Sequence, residues 1–245
     1  VVIVKVTPEA RFDALDILDT QDNMYHVLLQ GVRNGEPVSE IKRVTSIQRT
    51  VHAYEAFDDY LALATQPEVR FIISNTTEAG IVYVAQDKLT DTPPSSFPAK
   101  MTVFLHHRYQ HFKGAADKGC ILLPTELISN NGDQLKAYVL QYAEQWGLEA
   151  GFVNWLNEHN VFCNTLVDRI VPGFPAEQAE SVYAELGVRD GLLVSGEPYH
   201  SWVIEGPESL HDELPFKQTD LNGSAYRLHA FVEKPDRATA EGAKM

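Results

Sequence analysis

"VRFIISNTTEAG", residues 69–80, runs an apolar strand straight into a polar turn, and "GCILLPTELISNNG", residues 119–132, has the same order. Short, unbroken apolar runs bounded by turn residues fit strands buried within a sheet. Helical patterns separate and follow them. One runs over 98–112 and opens at Pro98, a residue suited to a first helical turn. The next is the clearest in the chain: Leu135, Tyr138, Val139, Tyr142, Ala143 and Trp146 form one apolar stripe, stopped at Gly147. Strand, helix, strand, helix predicts an α/β domain with a largely parallel sheet.

Upstream, residues 1–6 read as a buried strand. Residues 24–31 and roughly 38–50 read as two strands joined at "VRNGEP", where Asn34-Gly35 is a hairpin turn signal, so a β hairpin is inserted early. A helix follows from Ala56, with Phe57, Tyr60, Leu61 and Ala64 on one face. Downstream, "AGFVNWLNEH" predicts a helix, as does "AEQAESVYAELG" ending at Gly187, and 199–206 predicts a strand. Between these lies "FCNTLVDRIVP", residues 162–172. Leu166, Val167, Ile170 and Val171 are expected inside, while alternation turns Asp168 and Arg169 to opposite faces. A salt bridge between those two neighbours is therefore not expected.

With 245 residues and 44% hydrophobic content, the chain suffices for one large domain or two small ones. A net charge of −14 argues against a general nucleic-acid or anionic-membrane binder, since both need a basic face. No apolar run approaches the ~20 residues that cross a bilayer. Cys120 and Cys163 sit in apolar surroundings and read as buried thiols in a reducing cytoplasm. The chain opens on "VVIVKV" without an initiator methionine and stops at "EGAKM" without a closing element, so further residues are expected before Val1.

Ligands of open parallel sheets bind beyond the carboxyl ends of the strands. That rule selects "NTTEAG", "TELISNNG" and "VDRIVP". Each also has a plain structural account. "NTTEAG" can be a loop in which Thr76 or Thr77 caps a neighbour, and Asn131 or Asp133 can cap a helix rather than join Glu126 in facing a ligand. Asp168 and Arg169 can each have a structural partner elsewhere. No GxGxxG is present, and "GVRNGEPVSE" lies in the hairpin. His107 and His111 have helical metal-pair spacing but no third ligand nearby, and solvated histidines beside Arg108 are the expectation, with no metal. Neither GxSxG nor a phosphate-loop pattern occurs.

The blocks "RFIISNTTEAGI", "SFPAKMTVFLHHRYQHFKGAADKG", "LLPTELISNNGD", "FCNTLVDRIVPGFP" and "WVIEGPESL" resemble, in order and spacing, the polyol-specific long-chain dehydrogenases, the family of mannitol dehydrogenase. Within it the likeness is nearest to the tagaturonate reductase branch, and it covers about residues 1–220. The resemblance implies a partial Rossmann-like NAD-binding domain over 1–220. It also implies an N-terminal βα unit and a C-terminal helical domain lying outside this chain. It implies NAD-linked reduction of a small-molecule sugar acid without a metal, in the cytoplasm. The family's acid/base lysine belongs to a Lys-x5-Asn-x2-His block that this sequence does not contain, so the chain by itself is expected to be inactive. Asn75, Thr76, Thr77 and Glu78 would border the cofactor. Asp168, Arg169, Asn131 and Glu126 would line the substrate, with Arg169 suited to a uronate carboxylate. Mannitol and fructuronate enzymes share the frame. Leu127 stands where the mannitol enzymes carry an asparagine, so that residue's carbonyl-polarising role does not carry over, and Asn130 or Asn131 would have to replace it.

Residues 221–245 form a tail of unclear origin. Within it "FVEKP", with Glu233 and Lys234, is similar to a strand of the sugar-phosphate nucleotidyltransferases such as mannose-1-phosphate guanylyltransferase. Two other classes therefore stay open: a protein related to those transferases, and a non-catalytic binding module.

Overall fold

The computed structural model describes residues 1–8, 14–33 and 35–214. The chain order opens with β1 (Val2–Lys5), α1 (Ala14–Thr20), β2 (Tyr25–Arg33), β3 (Glu36–Val44), β4 (Arg49–His52) and α2 (Phe57–Ala64). It continues with β5 (Phe71–Ser74), α3 (Phe97–Phe112), β6 (Ile121–Pro124), α4 (Asn131–Gln145) and α5 (Ala150–His159). Last come β7 (Val161–Phe162), β8 (Asn164–Asp168), α6 (Ala179–Leu186), β9 (Val194–Gly196) and β10 (Ser201–Glu205). This is the α/β class that the strand–helix alternation predicts. Two compact units divide it. One holds residues 1–60 and 168–201, the other 61–167 and the described residues from 202 onward.

In the first unit β2 and β3 form the inserted antiparallel hairpin, with Arg33 opposite Glu36, and β9 joins β2 in parallel. Asn34 of the expected turn lies outside the described residues; Gly35 takes φ 84°, a conformation glycine adopts without a Cβ clash. The single strand expected over 38–50 is in fact two. β3 ends at Val44, and the chain then leaves the hairpin so that β4 pairs in parallel with β1, from Val2 opposite Arg49 to Lys5 opposite His52. β1 is half-buried rather than buried, since β4 is the strand it pairs with. Leu28, Ala179, Val182 and Leu193 form a core cluster in this unit. Asp190 fastens its last turn to β2 by accepting from the His26 backbone N–H at 2.6 Å and the Gln21 side chain at 2.8 Å. Burial pushes its carboxyl up, but hydrogen bonds from Gln21, Leu192 and His26 outweigh that and keep it below the usual range.

The second unit carries a parallel sheet in the order β5-β6-β7. Phe71 lies opposite Ile121 and Ser74 opposite Pro124, so β5 and β6 end side by side. β6 is buried along its whole length, whereas Phe71 and Ile73 of β5 are exposed. α3 begins at Phe97, one residue before Pro98, because the Ser96 hydroxyl caps it by accepting from Ala99 N–H. His107 is half-buried and His111 exposed on that helix, while Arg108 between them turns inward. Arg108 is fully buried and donates to the carbonyls of Lys118, Ala64 and Gln66. In α4 the stripe is as predicted at Leu135, Val139, Tyr142 and Ala143. Ile121, Leu123, Cys163 and Ile204 form a core cluster.

One correction concerns the stretch around β8. Leu166, Ile170 and Val171, expected inside, are 57%, 64% and 54% exposed. Leu166 lies on β8, which pairs with β10 as a two-stranded ribbon and not with β6, so a face of that strand stays uncovered among the described residues; Ile170 and Val171 lie past its end. No described helix is long and apolar enough to cross a membrane. Glu233 and Lys234 of the tail lie outside the described residues.

Candidate functional site

Parallel pairing brings the carboxyl ends of β5 and β6 to one edge, where "NTTEAG" and "TELISNNG" emerge together. Thr125 fixes the junction, donating from both its N–H (2.8 Å) and its hydroxyl (2.7 Å) to the Ser74 carbonyl. Above it lies an open depression of about 460 Å³ lined by Asn75, Thr77, Glu78, Ala79 and Leu127. The side chains of Asn75, Thr77 and Glu78 are exposed and make no hydrogen bond with any other described residue. They keep amide, hydroxyl and carboxylate groups available to a ligand. Ala79 and Leu127, the latter 62% exposed, supply apolar surface beside them.

Beneath this surface the polar residues are occupied. Glu126 is 2% exposed, and its carboxylate accepts from Thr76 N–H (3.0 Å), the Thr76 hydroxyl (2.8 Å) and the Ser74 hydroxyl (3.1 Å). Asn131 is fully buried. Its amide nitrogen lies 2.9–3.0 Å from the carbonyls of Pro124, Glu126 and Thr165, and its oxygen accepts from the N–H groups of Gly132 and Thr165. These two positions, expected to face the substrate, and Thr76, expected to border the cofactor, therefore direct their polar atoms into the protein. Asn131 does not cap α4 either. The cap position is Asn130, in the left-handed region at φ 54°, and Asp133 N–H is satisfied by the Asn164 side chain at 3.0 Å. A Cβ on Gly132 would sit 2.1 Å from the Cys163 carbonyl oxygen, so glycine is what lets α4 start so close to the chain entering β8.

Asp168 and Arg169 belong to the first unit. Asp168 ends β8, is exposed, and has no partner among the described residues. Arg169 lies just past the strand and donates from Nε (3.1 Å) and Nη2 (2.9 Å) to the Glu197 carbonyl. No described ion pair joins the two, in keeping with their alternation.

Elsewhere, burial and the neighbouring His111 and His106 hold the His107 pKa below its usual value. Among the described residues no three His, Cys, Asp or Glu side chains gather as a metal set. The residues that sequence reasoning missed at the depression are Ala79 and the contact made by Leu127. Leu127 drew notice only as a departure from a pattern; its exposure beside the buried Glu126 appears only in the fold.

Comparison with known proteins follows this geometry. The family model described as the mannitol dehydrogenase Rossmann domain matches residues 1–218. Altronate oxidoreductase of Bacillus subtilis (strain 168) is 50% identical over 205 residues, covering 84% of this chain and 43% of that protein. Its counterpart in Pectobacterium carotovorum is 50% identical over 206 residues, covering 84% and 42%. The chain thus spans less than half the length of these curated relatives. Among solved structures, Pseudomonas fluorescens mannitol 2-dehydrogenase, in a ternary complex with NAD and D-mannitol, aligns with a TM-score of 0.68 at 22% identity. That alignment covers 82% of this chain and 42% of the other. A substrate-free D-sorbitol dehydrogenase gives 0.69 at 22% identity, covering 83% and 43%. Both likenesses concern the fold.

Proposed function

The chain belongs to the mannitol dehydrogenase family through its Rossmann domain, and from that premise we propose that it is part of an NAD-linked oxidoreductase interconverting D-tagaturonate and D-altronate. The observation that carries the reading is the row of unengaged polar side chains, Asn75, Thr77 and Glu78, at the carboxyl end of a parallel strand. Ligands of such sheets bind there. The altronate oxidoreductases at 50% identity support the choice of sugar acid over mannitol.

The residues fit the cofactor by chemistry. Leu127 and Ala79 offer apolar contact to a flat ring, while Asn75 and Glu78 offer an amide and a carboxylate to its polar edge. When bound, the cofactor supplies hydride exchange with the carbonyl carbon of the keto acid. On the substrate side we assign Asp168 and Arg169. Arg169 keeps guanidinium N–H groups beyond those bound to Glu197, and their planar fork suits a uronate carboxylate. Two buried thiols and a metabolic sugar-acid substrate favour a cytoplasmic setting.

The test is NADH oxidation by the whole enzyme of which this chain is part, followed with D-tagaturonate, D-fructuronate and D-fructose in turn, since the chain by itself is expected to be inactive. Turnover with D-tagaturonate well above the other two supports the assignment. Preference for D-fructose or D-fructuronate moves it to another branch of the same family.

A further inference from the structure

The loop at 75–80 has a backbone that would not hold itself. Thr77, a β-branched residue, sits at φ 72°, where its Cβ crowds the chain. Gly80 closes the turn by donating to the Thr77 carbonyl at 3.0 Å, and a Cβ there would lie 1.9 Å from the Thr76 hydroxyl oxygen. What keeps Thr76 tucked under this turn is one side chain from the neighbouring strand end. Glu126 Oε1 takes both Thr76 donors and Oε2 takes Ser74, the last residue of β5.

We infer that Glu126 is a positioning residue for the cofactor: it draws Thr76 inward, which forces Asn75, Thr77 and Glu78 outward into the depression. The inference rests on the cofactor reading above and deepens it. The Glu126 carboxylate itself touches no ligand, because it is buried and its described hydrogen bonds run to the loop and to β5.

The role makes a distinctive demand: it needs acceptor geometry and not charge. In Glu126→Gln the amide oxygen still accepts from Thr76 N–H and hydroxyl, and the amide nitrogen donates to Ser74 Oγ, whose hydroxyl can rotate away. Glu126→Leu fills similar space but leaves Thr76 N–H and two hydroxyls without their acceptor.

The experiment measures, on the purified protein, the NADH dissociation constant and the amide hydrogen exchange of Thr76 and Thr77, with thermal midpoints as a control. Glu126→Gln should bind NADH within about threefold of the parent and keep slow Thr76 exchange. Glu126→Leu should weaken binding about tenfold or more and speed exchange at Thr76 and Thr77. Should Glu126→Leu fail to fold, Thr76→Val replaces it, since that change removes one bond to the carboxylate and keeps the shape; it should weaken binding about threefold or more. Loss of binding in Glu126→Gln equal to that in the Leu variant overturns the inference, because the carboxylate would then be acting on the ligand. Parent-like affinity and exchange in Glu126→Leu, or in Thr76→Val where it stands in, overturns it as well. If the parent protein binds no NADH, the cofactor reading fails, while the exchange data still decide whether Glu126 holds the loop.

Discussion

Two layers of polar residues meet where β5 and β6 end side by side, and they do opposite things. The side chains of Asn75, Thr77 and Glu78 project from the end of β5 and make no hydrogen bond with another described residue, whereas Glu126 and Asn131, from the end of β6 and the start of α4, are buried and hydrogen-bonded. The same residue types serve recognition in one layer and rigidity in the other. What separates them is the sheet: β6 is covered along its length, so polar groups following it must be satisfied internally, while β5 has exposed residues and its loop opens outward.

Four changes would break or sharpen that contrast. The largest effect belongs to Asn131→Leu, which strands buried carbonyls of Pro124, Glu126 and Thr165 and the Thr165 N–H. It should destabilise the fold by about 3 kcal/mol or more, read from urea unfolding. Second, Gly80→Ala forces a methyl onto the Thr76 hydroxyl and shifts the loop. NADH affinity should fall roughly 10–100-fold, by titration, with a smaller change in the thermal midpoint.

Third, Thr77→Gly removes the Cβ from a left-handed position and should stabilise by about 1 kcal/mol in the same unfolding assay. A loss of stability there would show that the entropy cost of the glycine exceeds the strain relieved at the left-handed position.

The fourth change tests a pH dependence that belongs wholly to the buried side. Burial pushes the Lys100 ammonium from its ordinary 10.5 down to about 8, against the pull of Asp87. Between those values the unfolded chain holds more protons than the folded one, so stability contributed by this group rises with pH through that window. Below about 8 both states are protonated and the full cost of burying the charge is felt. Replacing Lys100 by Met should flatten that rise in unfolding curves taken from pH 7.5 to 10.

Much of this frame was legible in sequence. The parallel α/β class, the inserted hairpin, the α4 stripe and the polar ends of β5 and β6 all follow from residue pattern, because apolar periodicity reports directly on which face is covered. The division of labour among polar residues was not legible. Nothing in "TELISNNG" says that Glu126 turns back under Thr76 or that Asn131 reaches the chain at Thr165, since those bonds join segments 50 and 34 positions apart. The exposure of Leu166 was hidden for a related reason. Apolar composition states a preference for burial, while β8 pairing with β10 instead of β6 decides whether a cover exists.

The most direct test of the account is an NADH titration of Asn75→Ala and Thr77→Ala beside the parent, with thermal midpoints measured on the same samples. Surface changes of this kind leave stability within about 0.5 kcal/mol, so the account predicts nearly unchanged midpoints and markedly weaker NADH binding in both. Parent-like affinity in both variants would contradict it and move the cofactor away from the end of β5.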